Sequence, residues 1–233
     1  MELKNKTALI TGGGSGIGFA IAQALAREGM NLVLASRRLE FVAAKAEELR
    51  ASKRIRALGI GIDVRSKKSV QSGVAAAINE FGAIDVLVNN SGVGTSALAV
   101  DLSEDEWDRV LDTNLKGAFF VTQAVLPYMI KQKSGHIINI ASQAGRRGYP
   151  NASAYCASKF GLIGFGQSVQ EEVREYGIKV TNVLPALVQV PSPAKEAQVR
   201  DDVLQVEDLA QTVLFVLRQP DRVKVDDIGL WRF

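Results

Sequence analysis

A chain of 233 residues with 47% hydrophobic and 23% charged side chains can bury a substantial core and remain water-compatible. No apolar run approaches the ~18 residues of a membrane span, and the opening Met-Glu-Leu-Lys-Asn-Lys has no signal-peptide pattern, so a cytoplasmic protein without a membrane partner is expected. One cysteine (Cys156) and one histidine (His136) exclude a disulfide framework and a zinc cluster, and a net charge of +3 scattered among acidic residues argues against nucleic acid.

The run Thr7 to Thr11 is rich in β-formers and stops at Gly12-Gly13-Gly14-Ser15-Gly16-Ile17-Gly18, ahead of an alanine-rich helical stretch that ends at Gly29. Strand, glycine turn and helix in that order build a dinucleotide site. The glycines let backbone approach a pyrophosphate, and the unpaired N–H groups at the helix start attract its charge. The spacing Thr-Gly-x-x-x-Gly-Ile-Gly differs from the common Gly-x-Gly-x-x-Gly fingerprint. A second strand, 31–35, ends at Ser36-Arg37-Arg38. An acid here would accept the ribose 2′-hydroxyl of NAD, whereas arginine accommodates the 2′-phosphate of NADP. No Asp or Glu occupies that strand edge before Glu40, so NADP(H) is expected, with Ser36 and Arg37 as phosphate contacts and Arg38 as a stacking or second contact.

A charged helix over 39–50 leads to a third strand, 57–62, which closes on Asp63-Val64. A helix over 66–81 precedes a fourth strand, 84–88, followed by Asn89-Asn90-Ser91-Gly92. Ser103-Glu104-Asp105-Glu106 reads as a capping box opening a long helix, which Pro127 should bend or end. The apolar run 136–141 reads as a buried parallel strand with Ser142 at its carboxyl end, where open α/β sheets bind ligands. Tyr155 and Lys159 stand four apart in a small-residue helical segment reaching about residue 176, so they share one face. A neighbouring ammonium favours the phenolate and should lower the Tyr155 pKa from about 10. A sixth strand, 179–184, runs into Pro185-Ala186-Leu187-Val188-Gln189-Val190; residues 191–205 then cover the substrate, a helix spans 207–217 and a seventh strand 223–230. Strands and helices alternate without repeats or linkers, which predicts a single domain over 1–233. Its architecture is α/β, a Rossmann-type doubly wound, seven-stranded, mainly parallel sheet with helices on both faces.

The set Ser142, Tyr155 and Lys159, together with the Thr-Gly-x-x-x-Gly-Ile-Gly turn, resembles the short-chain dehydrogenase/reductase family over nearly the whole chain, and within it the 3-oxoacyl-[acyl-carrier-protein] reductases. The resemblance implies that Tyr155 is the general acid or base, that Ser142 hydrogen-bonds the substrate carbonyl, and that Lys159 binds the nicotinamide ribose while depressing the Tyr155 pKa. Asn114, in Thr-Asn-Leu-Lys-Gly, would kink its helix and hold a water of the proton relay. It further implies cofactor contacts from Gly12, Ser15, Gly16, Ile17 and Gly18 and from Asp63 on the adenine amino group. Val64 would contribute through its backbone, Asn90, Ser91 and Gly92 would lie along the adenine ribose, and Pro185 and Val188 would lie at the nicotinamide. Ala186 replaces the family's Gly and Val190 its Thr, which suggests a looser carboxamide clamp with Ser192 as a stand-in.

The implied reaction reduces a carbonyl, such as a 3-oxoacyl thioester or small ketone, to a secondary alcohol without a metal. An NADP(H)-binding redox sensor with little catalysis is the alternative. Arg146 and Arg147 beside the site either meet an acidic carrier or carboxylate or face solvent. The terminal aromatics Trp231 and Phe233 read as interface packing in a homodimer or homotetramer.

Overall fold

The structure is a computed structural model that describes residues 2–53, 55–190, 200 and 202–233. Ser192 and most of the expected substrate-covering segment lie outside the described residues.

In chain order the elements are β1 (Thr7–Thr11), α1 (Gly16–Arg27), β2 (Asn31–Ser36), α2 (Leu39–Lys53), β3 (Ala57–Gly61), α3 (Lys67–Phe81) and β4 (Val86–Asn89). There follow α4 (Glu104–Leu111), a π-helical turn (Asp112–Lys116), α5 (Gly117–Gln132), β5 (Gly135–Ile140), a 3₁₀ turn (Gln143–Gly145) and α6 (Ser153–Val173). The chain closes with β6 (Ile178–Pro185), β7 (Val188–Gln189), β8 (Leu204–Gln205), α7 (Val206–Leu217) and β9 (Asp227–Leu230).

Seven strands form one parallel sheet in the order β3-β2-β1-β4-β5-β6-β9, as the alternating pattern predicts. Burial on both faces follows the two-residue period of the strands. Ile10, Leu32, Leu34 and Ile138 pack with α1, α2 and α7, whereas Leu9, Val33, Leu87 and Ile137 pack with α3, α5 and α6. The crossover direction reverses between β1 and β4, which opens a crevice at their carboxyl ends.

Four local expectations change. The long helix is interrupted by the π-helical turn at Asn114, and the chain then continues through Pro127 to Gln132, because Val121, Val125 and Met129 bury the same face on both sides of the proline. Ser103 caps α4 by accepting from the Glu106 N–H at 3.3 Å, but the Glu106 carboxylate accepts from Thr95 Oγ1 at 3.2 Å, so only half of the box forms. Residues 223–226 precede β9, whose ladder with β6 starts at Asp227. The fourth strand starts at Val86, two residues later than expected, although the Asp85 backbone already bonds to Thr7 and His136 and its side chain accepts from the Thr7 N–H.

Candidate active site

Two cavities of about 720 and 750 Å³ meet along the crevice, sharing Ile17, Asn90, Gly92, Val93 and Val190 as walls. The first is floored by the glycine turn after β1. Gly12 and Gly16 have φ of +63° and +52°, the left-handed region that favours glycine. Ser15 caps α1 in an extended conformation without a side-chain bond, and the first turn of α1 contains no acid, so its N–H groups remain available to an anion. Thr11 latches this turn to β4: its hydroxyl oxygen accepts from the Asn90 and Ser91 N–H groups, each at 3.0 Å, while Asn90 Nδ2 donates to the Thr11 carbonyl at 2.9 Å.

Ser36, Arg37, Arg38, Asp63, Val64, Asn90, Ser91 and Gly92 line the same cavity. Arg38 lies with its guanidinium carbon 4.3 Å from the Phe41 ring centroid, and Ser36 Oγ accepts from the Arg38 N–H. Arg37 is exposed and makes no hydrogen bond or ion pair among the described residues.

The second cavity collects Ser142, Tyr155 and Lys159 together with Pro185 and Val188. Ser142 leaves the end of β5, with its hydroxyl oxygen accepting from the Ala144 N–H at 3.1 Å. Lys159 is buried, donates from Nζ to the Ile140 carbonyl at 2.8 Å, and lies 5.7 Å from the Tyr155 ring centroid. Asn114, buried in the π-helical turn, accepts from the Val93 N–H at 2.8 Å and donates from Nδ2 to Val93 O and to Ser158 Oγ. The Ser158 hydroxyl in turn donates to the Tyr155 carbonyl at 2.7 Å. A Cβ built on Gly92 would sit 3.4 Å from Asn114 Oδ1 and 3.7 Å from Lys159 Nζ, in ordinary contact, so Gly92 stands where the two cavities meet this group.

The family model described as short chain dehydrogenase matches residues 6–201. The chain belongs to the short-chain dehydrogenase family. An uncharacterized oxidoreductase of Staphylococcus epidermidis is 34% identical over 229 residues, covering 98% of each chain. Another from Staphylococcus aureus is 36% identical over 227 residues, covering 97% of this chain and 96% of its own. Among solved structures, the alcohol dehydrogenase of the archaeon Thermococcus sibiricus complexed with 5-hydroxy-NADP superposes with a TM-score of 0.91 at 27% identity, over 97% of this chain and 96% of that one. A metagenomic short-chain oxidoreductase in complex with NADP superposes with a TM-score of 0.86 at 30% identity over the whole of both chains.

This short-chain dehydrogenase is therefore an oxidoreductase, and its fold family implies a nicotinamide dinucleotide. The residues present fit one. A Cβ on Gly18 would collide with the Gly12 carbonyl, and one on Gly16 would lie 2.8 Å from Val190 Cγ1, so the turn is already as full as backbone alone allows. Gly12, Ser15, Gly16 and Ile17 line the first cavity together with Arg37 and Arg38, whereas Gly18 is buried behind them against the Gly12 carbonyl. No cluster able to hold a metal occurs among the described residues, and no described helix is long and apolar enough to cross a membrane.

The expected depression of the Tyr155 pKa is corrected. Burial raises it above the ordinary 10.0, while the Ser142 hydroxyl acts in the opposite direction. Lys159 exerts no comparable pull, since burial lowers its own pKa to about 8 and its ammonium is directed to the Ile140 carbonyl. A phenol in this environment holds its proton at neutral pH and can donate it. Elsewhere, Asp63 spends both carboxylate oxygens on Arg65, at 3.0 and 2.6 Å, which holds its pKa below the usual 3.8. Ala186 adopts no positive φ, so glycine is not needed there.

Sequence reasoning missed the support beneath the site. Asn89 donates to Asn139 Oδ1, Asn139 to Asn182 Oδ1 and Asn182 to Asp227 Oδ1, at 3.0, 3.0 and 2.9 Å, in a buried ladder across β4, β5, β6 and β9. Asp227 Oδ2 then accepts from Arg146 at 3.2 Å. Thr11 was legible as the Thr of the glycine motif; the ladder has no local spacing to betray it.

Proposed function

We propose that this short-chain dehydrogenase reduces a carbonyl compound to a secondary alcohol with NADPH, with Tyr155 as the proton donor. The observation that supports this most is the grouping of Ser142, Tyr155 and Lys159 around one cavity that opens directly into the glycine cradle. When bound, the dihydronicotinamide supplies the hydride. The Ser142 hydroxyl donates to the substrate oxygen and fixes the carbonyl beside Tyr155. The Tyr155 O–H bond breaks and its proton passes to that oxygen, which gains an O–H bond as the alcohol forms. Lys159, tied to the Ile140 carbonyl, holds the end of β5 against the helix that carries Tyr155, and Asn114 holds the loop at Val93 and the helix at Ser158 in register with it.

NADP(H) is favoured over NAD(H) because the rim of the cradle is Ser36-Arg37-Arg38, without an acid for the ribose 2′-hydroxyl, and both structural neighbours are named as complexes of NADP or its 5-hydroxy derivative. Small ketones and 3-oxoacyl thioesters are the candidate substrates, and a proton relay is of no use to a pure redox sensor. A cytoplasmic homodimer or homotetramer goes with this reading, in support of which Trp107, Phe119 and Phe160 are exposed on α4, α5 and α6.

The test is Tyr155→Phe, assayed for NADPH oxidation with acetoacetyl thioesters, diketones and aldehydes. We expect kcat to fall about 10³-fold with the NADPH dissociation constant within about twofold of wild type. Turnover retained in that variant overturns the mechanism.

A further inference from the structure

We propose that Arg147 anchors a carboxylate on the substrate, so that the preferred carbonyl compounds are oxo acids with an apolar body. The inference rests on the reductase reading above and names its substrate class.

The cavity that holds Ser142 and Tyr155 is also walled by Lys159, Arg147 and Arg232, and no Asp or Glu is among its described lining residues. Three cations facing one cavity without a carboxylate create a field that draws an anion. Two of the three are engaged. Lys159 is committed to the Ile140 carbonyl at the back of the cavity. Arg232 lies 3.6 Å from the Asp202 carboxylate and donates to the Asp202 carbonyl at 3.3 Å. The neighbouring Arg146 is tied to Asp227 at 3.2 Å.

Arg147 differs from all of them. Its Nε donates to the neutral Tyr149 hydroxyl at 2.7 Å, and its guanidinium carbon lies 4.5 Å from the Trp231 ring centroid. These contacts fix the orientation of the group without compensating its charge, and among the described residues its two terminal nitrogens have no carboxylate partner. A guanidinium held at Nε still offers its outer pair of N–H donors, whose fork matches the two oxygens of a carboxylate. Trp231, Tyr149 and Leu187 supply an apolar wall for the carbon chain between the two polar ends. Arg147 follows the 3₁₀ turn that Ser142 caps, so the holder of the carbonyl and the holder of the acid belong to one short segment.

The test compares a medium-chain oxo acid with its methyl ester. For wild type we expect kcat/KM to favour the acid by at least about 30-fold. In Arg147→Met, which keeps the apolar stem, that preference should vanish through a raised KM for the acid with kcat within about threefold. Arg146→Met, altered outside the cavity, should keep the wild-type preference. A second readout needs no turnover: calorimetric binding of hexanoate should weaken about tenfold or more in Arg147→Met, while hexanamide binds both proteins alike. Equal kcat/KM for acid and ester in wild type, or hexanoate binding unmoved by Arg147→Met, overturns the anchor and leaves the reductase reading standing. Arg147-dependent hexanoate binding without any NADPH oxidation would uphold the anchor and overturn the reductase reading instead.

Discussion

The two halves of the central sheet are made of different material. In β3, β2 and β1 the buried side chains are aliphatic apart from Thr7 and Thr11, and at the carboxyl end of β1 the chain presents glycine backbone, with the exposed Arg37 and Arg38 following β2. In β4, β5, β6 and β9 the interior carries Asn89, His136, Asn139, Thr181 and Asn182, with Asp227 at the edge, most of them hydrogen-bonded to one another. A cradle for a dinucleotide needs room and free N–H groups, so its specification lies in side chains that are missing. A group that moves a proton needs Ser142, Tyr155 and Lys159 fixed relative to one another, so the strands beneath them are cross-linked by polar pairs that fold into a single register.

The largest test of that contrast adds one methyl group to the first half. In Gly18→Ala the new Cβ falls on the Gly12 carbonyl and the Asn90 amide, both held by the β1–β4 latch and unable to retreat. The NADPH dissociation constant, measured by calorimetry, should rise more than about 100-fold, because the cradle must open to admit the methyl group. Gly164→Ala on α6 is the control: nothing lies within 4 Å of its added Cβ, and helix propensity alone should raise stability by about 0.5–1 kcal/mol. Unimpaired NADPH binding by Gly18→Ala would remove the glycine turn from the site.

A smaller effect distinguishes the rim from the floor. Arg37→Asp replaces an exposed guanidinium that has no partner of its own among the described residues with the acid suited to a ribose hydroxyl. Steady-state kinetics should give about a 100-fold loss of kcat/KM with NADPH and a reversal of preference toward NADH. An unchanged ratio of the two coenzymes would mean that Ser36, Arg37 and Arg38 do not hold a 2′-phosphate.

The contrast also governs what was legible in the sequence. The first half is a local motif: Gly12, Gly16 and Gly18 lie within seven residues, and the strand and helix on either side are contiguous with them, so chain order alone assembles it. Ser142, Tyr155 and Lys159 were readable for the same reason, being separated by one turn and one helical step. The asparagine ladder joins residues 50 and 43 positions apart, and only the register of β4 with β5 and of β5 with β6 brings them together. The sign of the Tyr155 shift was misread because Tyr-x-x-x-Lys spacing reports proximity, whereas burial, a tertiary property, decides the balance. Arg146 and Arg147, equivalent as a dipeptide, part company only once Asp227 is delivered by β9.

The smallest effect sharpens the comparison at the far end of β5. The Thr181 hydroxyl donates to the Val225 carbonyl at 2.6 Å, so toward His136 Nε2, 2.9 Å away, its oxygen must accept, and Nε2 therefore carries a proton. Burial, reinforced by the nearby Lys179 charge, lowers the His136 pKa from 6.5 to about 3. The unfolded chain thus takes up a proton near pH 6.5 that the folded chain refuses until about pH 3. Stability from this group is complete above the upper value and is lost by about 1.4 kcal/mol per pH unit as pH falls through the window. Chemical denaturation at pH 6.5, 6.0, 5.5 and 5.0, above the ordinary carboxylate range of about 4, should show that slope in the wild type. His136→Gln retains an N–H donor for Thr181 but cannot titrate, so its slope should be flatter by the same amount. Parallel slopes would mean that the polar half of the sheet admits a proton without opening, and that its hydrogen bonds are less exclusive than the ladder implies.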